Sequence, residues 1–308
     1  MARPVFVLGK QRSGTTWLGN QLVQHPRITG VVNKPPRGIR ESGYFTHLYG
    51  RYGDLANSSN YMELVTVLCA SNFFQLAGVE KQWLYSLWPT TYADVFRAIM
   101  DRLAESRGAD VWIEKTPGHT YKADMIARLY PDARFVAIKR DLEAIVPSDI
   151  VRISTQQKPD RADDPVWRHR EIRRIVAAWT YYAKTIDAFA AANPDRVLVT
   201  TYEALRADRE PRLRAICDFI GVEFDEKMLG DRYVSNTSFR GGRKREDVLS
   251  DAEKRRVRRL RRLFGLMPRG LLGLAHGLKH RRQQNQPLQQ RFFADLHLMP
   301  EGAPKPID

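Results

Sequence analysis

The chain has 308 residues, of which 43% are hydrophobic and 28% charged, so it can bury a sizeable core and is neither fibrous nor disordered in composition. Its formal net charge of +15 favours an anionic partner, which leaves nucleic acid, a membrane surface, an acidic saccharide or a phosphorylated nucleotide. Two widely separated cysteines argue against a disulfide scaffold, no apolar run is long enough for a transmembrane helix, and with no signal peptide visible we expect a cytoplasmic protein.

Short buried strands and helices alternate along the chain. Strands are predicted over residues 5–8, 111–113, 134–138 and 196–200, and helices over residues 17–25, 121–130, from 142 onward, and 170–192. This alternation predicts an α/β fold with three layers, α/β/α, around a central parallel sheet. We expect residues 1–250 to form one domain with a helical insertion at about 47–108 that shapes a cleft, and residues 251–308 to form a basic helix and a tail.

The first loop, at residues 9–16, follows a predicted strand and opens a helix, which is the setting of a phosphate-binding loop. Its glycine spacing matches the NTPase pattern GxxxxGK[ST], but Thr15 stands where the lysine should be. Because that lysine reaches the β- and γ-phosphates, its absence argues against hydrolysis of ATP or GTP. Backbone N–H groups, two hydroxyls and the cation of Arg12 remain, and they suit a shorter group such as a 5′-phosphosulfate. The alternative is a tight turn without a ligand.

Residues 12–18, RSGTTWL, resemble the 5′-phosphosulfate loop of the sulfotransferases that use PAPS (3′-phosphoadenosine-5′-phosphosulfate). This resemblance implies the sulfotransferase fold, which is similar to that of P-loop NTPases. It also implies that Arg12 contacts the bridging oxygen and the sulfuryl group. The remaining donor-binding positions that it implies here, most of them around the 5′-phosphate, are Ser13, Gly14, Thr15, Thr16 and Trp17.

A second anion site is predicted after the strand at 134–138. Arg140 stands at the end of this strand and Ser148 follows eight residues later, so both side chains can converge on one phosphate. PAPS-dependent sulfotransferases bind the 3′-phosphate with such a pair, and the resemblance implies that role for Arg140 and Ser148. Asp141 also matches the family pattern, whereas Leu142 replaces the common proline. The alternative is an ordinary salt bridge at a strand end and a helix serine.

Two later segments also resemble the family. Residues 202–205, Tyr-Glu-Ala-Leu, are similar to its Tyr-Glu-Asp-Leu, which implies that Tyr202 lies near the adenine; a core tyrosine is the alternative. Residues 235–244 resemble the C-terminal loop that closes over the nucleotide, which implies that Arg240 and Arg243 bind it. A solvated basic loop is the alternative there.

Glu41 is the candidate general base, since a carboxylate beside an acceptor hydroxyl or amine can take its proton. Residues 41–45, Glu-Ser-Gly-Tyr-Phe, resemble the Glu-x-x-Phe-Phe of heparan-type sulfotransferases, and tyrosylprotein sulfotransferases have a catalytic glutamate in this region. We expect Glu41 where the second strand of the fold ends. The alternative is a surface salt bridge with Arg37 or Arg40.

Residues 114–119, Glu-Lys-Thr-Pro-Gly-His, directly follow a predicted strand and resemble the Glu-Lys-Thr-Pro of heparan-type enzymes. The resemblance implies that Lys115 stabilises charge on the sulfuryl group or the bridging oxygen. His119 is a second candidate base, because cytosolic sulfotransferases use a histidine from roughly this part of the fold. Their Lys-Thr-His order is absent here, so acceptor binding and a structural role stay open for His119.

Together these motifs imply a PAPS-dependent sulfotransferase that moves a sulfuryl group onto a hydroxyl or amine by in-line displacement, where positioning and electrostatics dominate. No metal is required in principle, because the sulfuryl group carries less charge than a γ-phosphate. The likeness to heparan-type motifs makes a saccharide or a glycolipid the expected acceptor. The oligomeric state stays open.

Two other functions are possible. A P-loop kinase or NTPase needs a lysine at position 15 and an acidic Mg²⁺ ligand at a strand end, where Lys139 and Arg140 stand instead. A nucleic-acid or membrane binder could be built on residues 254–262, which hold seven basic residues in nine. The apolar run at 271–274 beside this helix leaves room for peripheral membrane contact and a lipid-linked acceptor, and no nucleic-acid partner is expected.

Overall fold

A parallel sheet forms the centre of the computed structural model, which describes residues 1–156, 159–233 and 245–273. Its five strands are β1 (Arg3–Leu8), β2 (Ile28–Thr29), β5 (Val111–Glu114), β6 (Arg134–Lys139) and β7 (Val197–Thr201). They lie in the order β2-β5-β1-β6-β7. A separate antiparallel ribbon consists of β3 (Val32–Asn33) and β4 (Gly38–Ile39). The carboxyl ends of β1, β6 and β7 therefore lie side by side at one edge of the sheet.

The α-helices with complete bounds are α1 (Thr15–Leu22), α2 (Ser58–Ala70), α3 (Asn72–Leu76), α4 (Lys81–Ser86), α5 (Tyr92–Ser106), α6 (Ala123–Leu129), α7 (Leu142–Gln156), α8 (Pro165–Ala192), α9 (Tyr202–Ala207), α10 (Arg209–Ile220) and α11 (Asp251–Leu266). Short 3₁₀ segments cover Pro117–Lys122, Pro159–Arg161, Glu226–Leu229 and Arg245–Asp247, and a π-type turn covers Tyr44–Leu48. No helix among the described residues is both long enough and apolar enough to cross a membrane.

Alternating side chains of β1 show why the fold has three layers. Phe6 and Leu8 pack into one cluster with α5, α6 and the C-terminal part of α8, whereas Val5 and Val7 pack into another with α1 and α10. Successive residues of a strand face opposite sides of its sheet, so the two clusters lie on opposite faces. Each face is thus covered by helices, and the predicted α/β/α fold with a central parallel sheet is confirmed.

The long helix α8 also supports helix α11. A third cluster joins α7, α8 and α11, and it includes Val257 and Leu260 of α11. Arg168 of α8 donates to the Glu253 carboxylate of α11, with Nε 2.8 Å from Oε1. The basic helix predicted near 254–262 therefore packs on the main body, while the predicted division into a domain and a tail stays a prediction.

The other predicted elements occur with shifted ends, and residues 58–106 of the predicted insertion carry the helices α2–α5. One local expectation is wrong. The second strand ends at Thr29, and Glu41 instead follows the β3–β4 ribbon. Only two residues of that segment pair with β5, and the chain then turns into the ribbon before it reaches Glu41.

Candidate functional site

The loop between β1 and α1 approaches its neighbours so closely that two of its positions need glycine. A Cβ on Gly9 would lie 2.6 Å from the carbonyl oxygen of Ile138. Gly14 has a φ of 96°, in the left-handed region, and a Cβ there would lie 2.5 Å from the Tyr202 ring. Gly14 also caps the N-terminus of α1. The loop is therefore fitted tightly against β6 and against the start of α9.

Arg12 links the two predicted anion sites. It has a φ of 72°, and no other non-glycine residue in the described part of the chain has a left-handed φ. Its carbonyl oxygen accepts a hydrogen bond from Arg140 Nη1 at 2.9 Å. Its Nε donates to Ser148 Oγ, also at 2.9 Å. The structure therefore brings Arg12, Arg140 and Ser148 together, although 128 and 136 residues of sequence separate the last two from Arg12.

Aromatic side chains fix the second cation of this group. The guanidinium of Arg140 lies 4.1 Å from the centroid of the Tyr202 ring, within the range of a cation–π contact. The Trp17 and Tyr202 rings meet edge to face, 5.4 Å apart. The indole N–H of Trp179 donates to the Arg140 carbonyl at 2.8 Å. These contacts hold Arg140 beside the loop.

A pocket opens between the loop and these side chains, with a volume of about 450 Å³ when the space reaching into open solvent is included. Its lining residues are Arg12, Gly14, Thr15, Thr16, Trp17, Arg140 and Tyr202. Ser13 and Ser148 are buried behind the lining, where the Ser13 N–H donates to the Lys10 carbonyl and Ser148 contacts Arg12. The predicted positions Arg240 and Arg243 lie outside the described residues.

Lys115 connects the pocket to Glu41. Its Nζ lies 3.1 Å from Thr16 Oγ1, which belongs to a lining residue, and 2.6 Å from Glu41 Oε1. The Lys115 side chain is 2% exposed, whereas the Glu41 side chain is 36% exposed. A buried ammonium thus stands between the pocket and a carboxylate that solvent can still reach. This arrangement can place positive charge on one side of a reacting group and a proton acceptor on another.

His119 lies in the same region but is completely buried. Its Nε2 accepts the Phe45 N–H at 3.2 Å, which assigns the ring proton to Nδ1, and Nδ1 lies 2.6 Å from Glu114 Oε2. Both ring nitrogens are therefore engaged inside the protein. This geometry suits a residue that holds the segment after Glu41 in place.

Glu114 is the centre of that hydrogen-bond network, a role that the sequence motif did not reveal. Its Oε1 accepts from the Ser42 hydroxyl at 2.7 Å and from the Thr116 hydroxyl at 2.6 Å. Burial alone would raise the pKa of Glu114, but His119 and these two hydroxyls outweigh it and hold the pKa below its ordinary value of 4.5. The network ties the residue after Glu41 to the residue after Lys115.

A buried ion pair behind the loop was also missed. Lys10 Nζ donates to Asp149 Oδ2, and the two side chains are 7% and 5% exposed. Burial lowers the pKa of Lys10. Burial alone would raise the pKa of Asp149, but the charges of Lys10 and Arg152 outweigh it and lower that pKa. Because Asp149 follows Ser148, the pair fastens the loop to α7. Opposite charges at these two positions were the only sequence signal.

Three tyrosines pack together, and one of them, Tyr182, is close enough to Glu41 to be influenced by its charge. The Tyr182 hydroxyl lies 3.3 Å from Gln11 Oε1 of the loop, and its ring centroid is 4.2 Å from that of Tyr121. The Tyr121 ring lies 5.2 Å from that of Tyr181. Burial and, to a smaller degree, the nearby charge of Glu41 raise the pKa of Tyr182. Tyr182 is buried, whereas Tyr121 and Tyr181 are half-buried and leave part of their rings open to solvent.

Comparison with known proteins adds a family match. The family model described as "Sulfotransferase family" matches residues 4–226. The omega-hydroxy-beta-dihydromenaquinone-9 sulfotransferases Stf3 of Mycobacterium bovis and Mycobacterium tuberculosis are both 22% identical over 252 residues. The match covers 71% of this chain and 63% of each relative, so the chain spans less than two thirds of the length of these relatives.

Solved structures give weaker likenesses. The sulfotransferase domain of the Synechococcus PCC 7002 olefin synthase is 22% identical, with a TM-score of 0.49 and coverage of 87% of this chain and 96% of that domain. The sulfotransferase STF1 of Mycobacterium tuberculosis is 18% identical, with a TM-score of 0.47, and the match covers 83% of this chain and 76% of STF1.

Proposed function

The chain belongs to the sulfotransferase family, and on that premise we propose that it moves a sulfuryl group from PAPS onto a hydroxyl or amine of an acceptor. One observation carries the donor assignment. Arg12, at the first predicted anion site, and Arg140, at the second, line the same pocket. A nucleotide with an anionic group at each end is a ligand that two such cations can hold together.

The chemistry of the side chains around the pocket fits this donor. It combines two guanidinium groups, the hydroxyls of Thr15, Thr16 and the adjacent Ser148, and the N-terminus of α1, all of which suit phosphate or sulfate oxygens. When bound, PAPS supplies the sulfuryl group and leaves as adenosine 3′,5′-bisphosphate.

In this proposal each group of residues binds a different part of the nucleotide. Arg12 and the loop residues up to Thr16 hold the 5′-phosphosulfate, while Arg140 and Ser148 hold the 3′-phosphate. Trp17 and Tyr202 flank the adenine. For Arg240 and Arg243 we propose that they bind the nucleotide in the loop that closes over it. Only the sequence supports this role.

Glu41 is the proposed base and accepts the proton of the acceptor. Its partial exposure leaves it accessible to an incoming acceptor. Glu41 contacts Lys115, and Lys115 contacts Thr16 of the pocket lining. Lys115 and Arg12 stabilise the charge that develops at the sulfuryl group. For His119 we propose a positioning role, because its ring nitrogens hold the Glu41 segment. No step of this scheme calls for a metal.

For the acceptor we propose a hydroxyl on a lipid-linked molecule, which includes the glycolipid expected from the sequence. The aromatic wall of Tyr121, Tyr181 and Tyr182 supports this class, because Tyr121 and Tyr181 expose part of their rings and Tyr182 behind them is influenced by the charge of Glu41. The name of the Stf3 relatives, which describes a hydroxylated menaquinone derivative, also supports it. A free saccharide remains the second candidate, and the cytoplasmic location stays a prediction.

Calorimetry with adenosine 3′,5′-bisphosphate, ATP and AMP tests the donor assignment. We expect the bisphosphate to bind more tightly than either of the others, because it alone carries the 3′-phosphate that Arg140 and Ser148 would hold. Tighter binding of ATP with Mg²⁺ would favour the kinase or NTPase alternative. A transfer assay with ³⁵S-labelled PAPS against lipid-linked alcohols, saccharides, phenols and peptides then identifies the acceptor.

A further inference from the structure

Helix α11 has an outer face on which exposed cations and exposed leucines occur together. We name this face the α11 surface; its members are Arg255, Arg258, Arg259, Arg262, Leu263 and Leu266. Arg255, Arg259, Arg262 and Leu266 follow each other at spacings of four, three and four residues, so they share one stripe of the helix. Leu263 and Leu266 are 55% and 86% exposed, which is unusual for two neighbouring leucines.

The opposite face of α11 fixes this surface in position. Val257 and Leu260 are buried against α7 and α8, and Ser250 begins the helix with a capping box. At the other end, Lys184 of α8 donates to the carbonyl oxygens of Gly265 at 2.8 Å and Met267 at 2.7 Å. The helix is therefore anchored along its length, and the α11 surface faces outward from the main body.

We infer that the α11 surface docks on a bilayer of anionic phospholipids. Cations alone would suit a nucleic acid equally well, but a phosphate backbone gives exposed leucines nothing to contact. A bilayer surface meets both kinds of side chain, because its headgroups attract the arginines and its acyl boundary takes up the leucines. Leu271, which follows the helix by five residues, is also 53% exposed.

A series of contacts leads from the residues that follow this surface to the aromatic wall. Gly273, two residues after Leu271, lies so close to Tyr181 that a Cβ on it would be 3.0 Å from the ring. Tyr181 then contacts Tyr121, which packs on Tyr182, and the charge of Glu41 acts on Tyr182. This step rests on the proposed function: docking through the α11 surface places the aromatic wall near the bilayer, where a lipid-linked acceptor can reach Glu41 without leaving the membrane.

Vesicle sedimentation of the full chain tests the docking. We expect binding to vesicles of phosphatidylcholine mixed with phosphatidylglycerol, and little binding to pure phosphatidylcholine. Each cation near an anionic surface contributes about 1 kcal/mol, so R258E/R262E should weaken partitioning by on the order of thirty-fold or more. R258K/R262K should retain it. L263S/L266S should also weaken binding, whereas V166S, which alters another exposed apolar residue at the start of α8, should not.

Two outcomes overturn the inference. The first is unchanged vesicle binding in both R258E/R262E and L263S/L266S. The second is a full chain that does not bind anionic vesicles but binds duplex DNA or RNA. Melting temperatures close to that of the parent chain exclude misfolding as the cause of a loss. Calorimetry with adenosine 3′,5′-bisphosphate measures donor binding independently of vesicle docking. A chain that docks on vesicles but takes up no bisphosphate contradicts the proposed function and leaves the docking intact, while the reverse result contradicts the docking alone.

Discussion

Arg12 Nε donates to Ser148 Oγ at 2.9 Å, and this hydrogen bond joins the two ends of the proposed donor site. Arg12 comes from the loop after β1, and Ser148 lies within α7, which follows β6. Because β1 and β6 are neighbours in the sheet, the segments that leave their carboxyl ends meet. The cation proposed for the sulfuryl end thus touches the hydroxyl proposed for the 3′-phosphate.

Replacement of either cation of the pocket should abolish most donor binding. R12A and R140A each remove a charge-assisted contact with an anionic group, so we expect adenosine 3′,5′-bisphosphate to bind at least about 30-fold more weakly in calorimetry. R140K tests the geometry, since lysine keeps the charge but cannot make a two-pronged contact or stack on Tyr202 in the same way. Affinity equal to that of the parent chain in R12A and R140A would contradict the donor assignment.

Glu41→Gln should separate catalysis from donor binding. The substitution keeps the size of the side chain but removes the proton acceptor, so turnover with ³⁵S-labelled PAPS should fall by about 10²–10⁴-fold. Bisphosphate affinity should stay within a few-fold of the parent value, because Glu41 does not line the pocket. Glu63→Gln, at an exposed position of α2, is the matched control and should keep full turnover. Normal turnover in Glu41→Gln would show that another group is the base.

The Glu114 network should make stability depend on pH in a defined direction. The pKa of Glu114 in the folded chain is held below 4.5, so its contribution to the free energy of unfolding is fully present above pH 4.5 and is lost as the pH falls through the lower folded value. Glu114→Gln leaves the buried donors of His119, Ser42 and Thr116 facing a neutral amide in place of a carboxylate, which should lower the free energy of unfolding at pH 7 by about 1–3 kcal/mol in urea unfolding.

That cost should shrink as the pH falls from 4.5 through the lower folded pKa, because Glu114 of the parent chain takes up a proton first in the unfolded state and then in the folded state. The matched control is Glu105→Gln, which changes an exposed carboxylate on α5 and should shift neither curve. A difference between Glu114→Gln and the parent chain that is equal at pH 7 and at pH 3 would contradict the role of the ionised carboxylate.

The convergence of Arg12 and Arg140 could be predicted from sequence because it depends on topology. Each follows a buried strand, and strands of a parallel sheet end at the same edge. The position of Glu41 was harder to predict from sequence. Strand β2 has only two residues, and the β3–β4 ribbon then takes the chain away from the end of the sheet strand. The Lys10 and Asp149 pair was not predictable at all, because two oppositely charged residues 139 positions apart have many possible partners.

That pair should nevertheless control both stability and donor binding. Lys10→Met leaves the buried carboxylate of Asp149 with only the longer contact to Arg152, at 3.4 Å, which should lower the free energy of unfolding by up to about 3–5 kcal/mol. Bisphosphate affinity should fall as well, because Lys10 lies two residues before Arg12 and Asp149 directly follows Ser148. The double variant Lys10→Met/Asp149→Leu removes both buried charges, and Arg152, which also pairs with Asp149, is 28% exposed and can turn to solvent, so most of the stability should return. If stability returns while the affinity stays low, the ion pair serves to position the loop against α7; if both single variants match the parent chain in stability and affinity, the pair has neither role.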